Sequence, residues 1–185
     1  MSTRILIAFC VCLASSSAMA QGSQAIEEAR IEVSGGYSYA WGDVQKATGG
    51  DTLPKGWNAG FVWFFSEGVG FAVDIAGHHG PQYFGSLLGT VDASLHTYVA
   101  GVKLTRPAGK FEYTARLLGG VATATGIPGG EPETNTEVAI MFGGGLNLPL
   151  GRRRFGIQLV QVDVLLSGAV REITPVATVG AFYRW

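Results

Sequence analysis

Apolar and polar residues alternate along most of this chain with a period of two. In Gly56–Phe65, one side carries Trp57, Ala59, Phe61, Trp63 and Phe65, and the other carries Asn58, Gly60 and Val62. A period of two is the pattern of a β-strand, whose side chains point alternately to opposite faces. Few segments show helical periodicity, so the pattern predicts an all-β chain.

The same alternation recurs in eight segments separated by glycine, proline and polar residues. The predicted strands are Arg30–Tyr39, Gly56–Phe65, Val69–Gly77, Val91–Leu104, Phe111–Val121, Thr136–Leu148, Arg154–Leu166 and Val176–Trp185. The seventh is irregular, because Phe155, Ile157 and Leu159 share one face whereas Val160, Val162 and Val164 share the other. Either a bulge interrupts it, or Gln161 and Asp163 face inward below an apolar layer.

The connections between these strands alternate between long and short. Long loops are predicted at Ala40–Lys55, His78–Thr90, Ala122–Asn135 and Ser167–Thr174, and tight turns at Ser66–Gly68, Pro107–Gly109 and Pro149–Arg152. Such an order suits an antiparallel, up-and-down barrel with long loops at one end and turns at the other. The sequence therefore predicts an eight-stranded antiparallel up-and-down transmembrane β-barrel.

The composition favours a membrane location for this barrel. Charged residues make up 15% of the chain, and the mean hydropathy is +0.26. After residue 20, no continuous apolar run reaches the roughly 18 to 20 residues of a membrane helix. Only closure of a sheet satisfies the backbone groups of strands in lipid, which favours a closed barrel.

The two faces of the strands predict which way the barrel faces. One face is bulky and aromatic, whereas the other is small and carries sparse charges, so we expect the bulky face to meet lipid. The charged residues are then predicted to form an ion-pair network that plugs the lumen: Glu32, Asp74, Lys103, Glu112, Arg116, Glu137 and Arg184. The alternative is a secreted, lipocalin-like carrier with the sides exchanged.

Aromatic residues fall near both ends of the predicted strands. With the first strand running outward, Trp57 lies at the outer rim, and Trp63, Phe65, Tyr183 and Trp185 lie at the inner rim. Aromatic side chains concentrate at both interfaces of a membrane protein. We interpret these residues as an aromatic girdle, and the terminal Tyr183–Trp185 as an assembly signal.

The first 20 residues have the features of a signal peptide. Arg4 precedes an apolar run, and Ala18-Met19-Ala20 is a cleavage motif. Residues 21–185 then form the barrel domain, and Cys10 and Cys12 are removed with the signal. Losing Arg4 from 13 basic residues leaves 12 against 14 acidic ones, a net charge of −2 that does not imply a nucleic-acid partner.

The signal peptide, eight alternating strands, long outer loops and terminal Tyr183-Arg184-Trp185 together resemble the outer-membrane β-barrel domain family, of the OmpA transmembrane-domain and OmpX type. The resemblance covers the whole mature chain and implies an integral protein of the outer membrane. Its implied partners are outer-membrane lipid and, during biogenesis, periplasmic chaperones and the barrel-assembly machinery.

 It also implies a monomer without a cofactor or a metal. Unlike full-length OmpA, the sequence has nothing after Trp185 that could form a periplasmic peptidoglycan-binding domain, so no cell-wall tethering is expected.

Two histidine positions are candidate sites of chemistry. His78 could share a face with Asp74, but the adjacent His79 points to the opposite side and no third metal ligand is evident, so we expect an exposed loop position. Some barrel enzymes that trim lipid A have a serine two residues from a histidine, whereas His96 is followed two residues later by Tyr98.

The sequence thus supports three functional hypotheses. The first is a non-enzymatic barrel with a structural or surface-interaction role, whose extracellular ligand the loop sequences do not identify. The second is a small, porin-like passive channel for polar solutes. The third is a lipid-modifying barrel enzyme.

Overall fold

The computed structural model describes residues 31–40, 55–83, 90–126, 133–150, 154–168 and 172–185. They form a closed barrel of eight antiparallel strands in sequential order, as predicted. The strands are β1 (Ile31–Ala40), β2 (Lys55–Ser66), β3 (Val69–Tyr83), β4 (Thr90–Ala108), β5 (Phe111–Gly126), β6 (Glu133–Leu150), β7 (Phe155–Ser167) and β8 (Glu172–Arg184). The predicted signal peptide, with Cys10 and Cys12, lies outside the described residues and stays a prediction.

Closure joins β1 to β8, from the Glu32–Arg184 pair to the Ala40–Val176 pair. The start of β1 and the end of β8 therefore lie at the same end of the barrel as the short turns. Two of those turns contain a glycine with positive φ, Gly68 at 67° and Gly109 at 64°. Glycine adopts this conformation without the steric cost that a side chain would add.

Several strands extend further toward the loop end than the sequence indicated. The predicted loop at His78–Thr90 is wrong in its bounds, because β3 and β4 remain paired as far as Tyr83 and Thr90. The predicted loop at Ala122–Asn135 is also too long, since pairing continues to Gly126 and Glu133. Its glycines and prolines are concentrated in residues 126–132, whereas its flanks are rich in threonine and alanine and can continue the ladder.

The irregular strand β7 contains both features that the sequence left as alternatives. Its pairing with β8 shifts between Gln158 and Gln161, which is a bulge or local irregularity. The consecutive Leu159 and Val160 are both exposed, and Gln161 and Asp163 are both buried. The extra residue of a bulge reverses the side to which later side chains point, which explains the exchange of faces.

The wall of the barrel has its apolar side outward. Trp63 and Val138 are 51% and 73% exposed, whereas Glu112 is 1% exposed. This arrangement confirms the predicted sidedness and is opposite to that of a lipocalin-like carrier. None of the described residues forms a helix long and apolar enough to cross a membrane.

The interior is less polar than the sequence indicated. A cluster of buried apolar side chains occupies part of it: Val62, Phe64, Ala72, Leu95, Val99, Leu118, Ala122, Ala139, Met141 and Leu165. The interior is therefore filled by apolar packing as well as by charged groups. An eight-stranded barrel is just wide enough for side chains to fill it in this way.

The outward face of β5 provides a test of the membrane-facing surface. We expect Leu117→Arg to lower the free energy of unfolding in lipid vesicles by about 2–4 kcal/mol, the cost of a cation near the bilayer midplane. Thr123→Arg, on the same face but near the loop end, should cost about 0–1 kcal/mol. Urea titration of both variants in vesicles measures the difference, and equal costs would contradict the assigned position of the membrane.

Candidate functional site

Four charged residues form an ion-pair network near the end of the barrel where β1 starts and β8 ends. Lys103 Nζ donates to Glu32 Oε1 at 2.5 Å, and Arg184 Nε donates to Glu32 Oε2 at 2.7 Å. Arg184 Nη1 donates to Glu112 Oε1 at 2.9 Å. We call these four residues the terminal network, and its two carboxylates balance its two cations.

The strand order brings these residues together from distant parts of the sequence. Glu32 and Arg184 are register partners on β1 and β8. The Arg184 guanidinium also lies 4.5 Å from the centre of the Phe182 ring, within the range of a cation–π contact. Arg184 Nη2 and Glu112 Oε2 are 2.8 Å apart without the alignment of a hydrogen bond, so their attraction is mainly electrostatic.

A second cluster lies deeper in the barrel and is centred on Arg116. Its guanidinium donates to Asp163 through Nε, at 2.8 Å, and through Nη2, at 2.5 Å, and its Nη1 donates to Asp74. Gln161 Nε2 donates to Asp163 Oδ1 at 3.0 Å, and Thr114 donates to Gln161 Oε1 at 3.1 Å. We call Asp74, Arg116 and Asp163 the central network.

Six of the seven charged residues selected from the sequence thus lie in two separate networks. The exception is Glu137, whose side chain is exposed and makes no ion pair with another described residue. Among the described residues it belongs to neither network, because period two gives the side of the wall but not the height along the barrel. Asp163 was missing from the predicted network, although the inward-facing alternative for β7 pointed to it.

A buried hydroxyl–imidazole pair lies toward the loop end of the interior. Ser38 Oγ and His78 Nε2 are 3.0 Å apart and hydrogen-bonded. His78 is buried inside the barrel, so the predicted exposed loop position is wrong, and the reason is the extension of β3 beyond Gly77. Within the described ranges, no three His, Cys, Asp or Glu side chains are grouped to hold a metal ion.

The fold matches solved structures of small bacterial barrels. Ail, the attachment invasion locus protein of Yersinia pestis, aligns with a TM-score of 0.55 and 20% identity over 84% of this chain and 96% of its own. Neisserial surface protein A aligns with a TM-score of 0.58 and 10% identity over the same shares. The N-terminal β-barrel domain of Pseudomonas aeruginosa OprF gives 0.56 and 9%, covering 85% of this chain and 98% of that domain.

Together with the apolar outer wall, this likeness decides the class. The chain has the fold of the small outer-membrane β-barrels. No family model and no curated protein matches its sequence. The class is therefore recognised from the fold and the surface of the barrel, at identities too low to carry over a specific activity.

The aromatic residues predicted for the girdle lie on the outward face of the barrel wall. All five that were predicted for the girdle are exposed: Trp57, Trp63, Phe65, Tyr183 and Trp185. The rings of Trp63 and Phe65 are 6.2 Å apart, and those of Tyr183 and Trp185 are 5.7 Å apart. Recognition of Tyr183–Trp185 by the assembly machinery stays a prediction.

The terminal network can be tested by removing the charge of its shared carboxylate. Glu32→Gln leaves Lys103 and Arg184 buried with weaker partners, so we expect the free energy of unfolding to fall by about 3–5 kcal/mol. The matched control is Glu137→Gln, outside both networks, with an expected change of about 0.5 kcal/mol or less. Tryptophan fluorescence during urea unfolding in vesicles measures both, and a small effect of Glu32→Gln would contradict the role assigned to the network.

Proposed function

We propose that this outer-membrane barrel is a surface-interaction protein that does not conduct ions. Its filled interior stabilises the wall of the barrel, and the loop end of that wall lies outside the cell. The observation that carries this proposal is the extension of β3, β4, β5 and β6 toward the loop end. A membrane barrel strand needs only about 9–11 residues to span the bilayer. Strands β4 and β6 contain 19 and 18 residues, more than that crossing requires.

The outward side chains support a position of this extension outside the lipid bilayer, on the loop side of the membrane. We define the outer extension as residues 78–83, 90–96, 122–126 and 133–137. Below it, Val121 and Val138 are paired and exposed, as lipid-facing residues should be. Among the side chains that the structure describes within it, the outward ones are polar: His79, Ser94, His96, Thr123, Thr125, Thr134 and Thr136.

Cross-strand contacts stabilise this outer extension without help from lipid. The hydroxyl groups of Thr123 and Thr136 are 3.0 Å apart, and those of Thr125 and Thr134 are 3.2 Å apart. Cross-strand threonine pairs of this kind stabilise antiparallel strands. The extension is therefore a hydrogen-bonded platform for a partner, and it keeps the ends of the loops at fixed positions.

The filled interior supports the non-conducting part of the proposal. Two ion-pair networks and the apolar cluster occupy the space between the walls, and a cavity against the central network has a volume of about 20 Å³. Such a volume has room for little more than one water molecule. This packing disfavours the porin-like channel, which needs a continuous aqueous path.

The buried Ser38–His78 pair gives no support to the lipid-modifying alternative. Both side chains are almost completely buried inside the wall. An acyl chain in the membrane could reach neither the hydroxyl nor the imidazole without opening the barrel. The proposal therefore includes no catalytic step.

Ail offers one indication of the kind of partner to test. It is called an attachment invasion locus protein, and its structure has been solved in complex with the heparin analogue sucrose octasulfate. In the present barrel, Lys55 is the register partner of His79, whose ring is 5.2 Å from that of His96. The ammonium group of Lys55 attracts anions, and the imidazoles of His79 and His96 lie beside it. A sulfated glycan is therefore the first ligand to test at the outer extension.

Planar-bilayer recording tests the closed interior. We expect the wild-type barrel to show no permanently open conductance, because the networks and the apolar cluster of the described residues fill its interior. A large-pored porin from the same detergent preparation serves as the positive control. A stable, open conductance of the wild-type protein would refute the non-conducting proposal and favour the passive channel.

Shortening the β5–β6 hairpin tests the surface-interaction role. Replacing residues 125–134 with Asn-Gly would connect Ala124 to its register partner Asn135 through a two-residue turn. We expect the barrel to keep its heat-modifiable gel mobility, while adhesion of expressing cells to immobilised heparin and matrix glycans falls about tenfold. Lys110→Ala, in a turn at the opposite end, is the matched control. Unchanged adhesion of the shortened barrel, or no adhesion of the wild type above vector-only cells, would contradict the proposal.

A further inference from the structure

Two of the three histidines in the chain face outward on neighbouring strands of the outer extension. His79 lies on β3, and His96 lies on β4 two positions beyond Ser94, the register partner of His79. Diagonal neighbours of this kind, on one face of an antiparallel pair, are close enough for aromatic side chains to meet. The centres of the two imidazole rings are 5.2 Å apart, and their planes make an angle of 85°.

The nitrogens of this imidazole pair are available to a ligand. His79 is exposed and His96 is partly exposed, and neither makes a hydrogen bond or an ion pair with another described residue. The third histidine, His78, differs from them, because it faces the interior and is hydrogen-bonded to Ser38. A neutral imidazole with a free ring nitrogen is the commonest ligand of transition-metal ions in proteins.

The separation of the two rings matches that of two imidazoles bound to one tetrahedral metal ion. Zinc–nitrogen bonds of about 2.0–2.1 Å put each ring centre about 3.2 Å from the metal, so a tetrahedral angle separates the two centres by about 5.2 Å. A right angle, as at a square-planar ion, would separate them by only about 4.5 Å. The observed 5.2 Å therefore suits a tetrahedral ion, which the rings can bind without moving apart or together.

The side chains around the imidazole pair are compatible with a hydrated ion. Ser94 is the register partner of His79 and Thr123 is that of His96, so both rings have an outward hydroxyl group as their neighbour. Such hydroxyl groups can accept hydrogen bonds from metal-bound water. Lys55 pairs with His79 from β2, on the side away from His96, and its long, exposed side chain can hold the ammonium group in water.

We propose that His79 and His96 form a two-imidazole site for one tetrahedral divalent metal ion of the zinc class. One nitrogen of each ring binds the ion, and two water molecules complete its coordination. Structural zinc sites use four protein ligands, so a site with two binds its ion weakly and exchangeably. This agrees with the finding that no three metal-binding side chains are grouped within the described ranges. The site does not depend on glycan binding, because the ion binds the barrel alone.

Titration of the untagged full barrel with zinc chloride tests the site. Isothermal titration calorimetry in detergent micelles gives the affinity and the stoichiometry, and we expect one ion per barrel. His79→Gln and His96→Gln should each lower the affinity about a hundredfold, because the second imidazole of a chelate acts at a high effective concentration. Thr136→Ala, on the same outward face but on β6, is the matched control and should bind zinc like the wild type. Heat-modifiable gel mobility checks that each variant is folded.

The remaining outcomes decide against the proposal. Absence of binding to the wild type at millimolar zinc would mean that the two rings make only an aromatic contact. Two ions per wild-type barrel, of which each variant loses one and keeps the other at unchanged affinity, would mean that the imidazoles bind independently. Zinc binding that survives both His79→Gln and His96→Gln unchanged would place the ion elsewhere on the barrel.

Discussion

The pairing of Glu32 on the first strand with Arg184 on the last strand is the interaction on which this barrel depends. The two residues are register partners across the closing seam, and their side chains are also joined by a hydrogen bond of 2.7 Å. Closure of the sheet gives the backbone N–H and C=O groups hydrogen-bond partners in lipid. At the same seam, the ion pair lets each of the two buried charges neutralise the other. Lys103 and Glu112 connect this seam to the opposite wall.

The interior combines two kinds of packing that have different consequences. Apolar groups such as Phe64 and Leu118 fill space, whereas the networks around Arg184 and Arg116 link specific strands across the barrel. Apolar packing tolerates many arrangements, but an ion pair with a fixed hydrogen-bond geometry specifies which strands face each other. The outer extension relies on this fixed frame, because it continues the same strands.

Sequence periodicity predicted the strands and the direction of their faces, because both follow from local alternation. It could not predict which charges meet, since Arg116 contacts Asp74 and Asp163 from distant strands. It also could not give height along the barrel, so Glu137 was assigned to the lumen network and His78 to a loop. The exchange of faces in β7 was visible in the sequence, but the bulge that produces it depends on pairing with neighbouring strands.

The separation of Glu32 and Arg184 by 152 positions also links charge burial to the order of synthesis. The carboxylate is translated with the first strand of the barrel, and its guanidinium partner is translated only with the eighth. A polypeptide cut short before β8 would lack both the sealing strand and the cation that neutralises Glu32. The seam therefore makes stable insertion conditional on the translation of all eight strands.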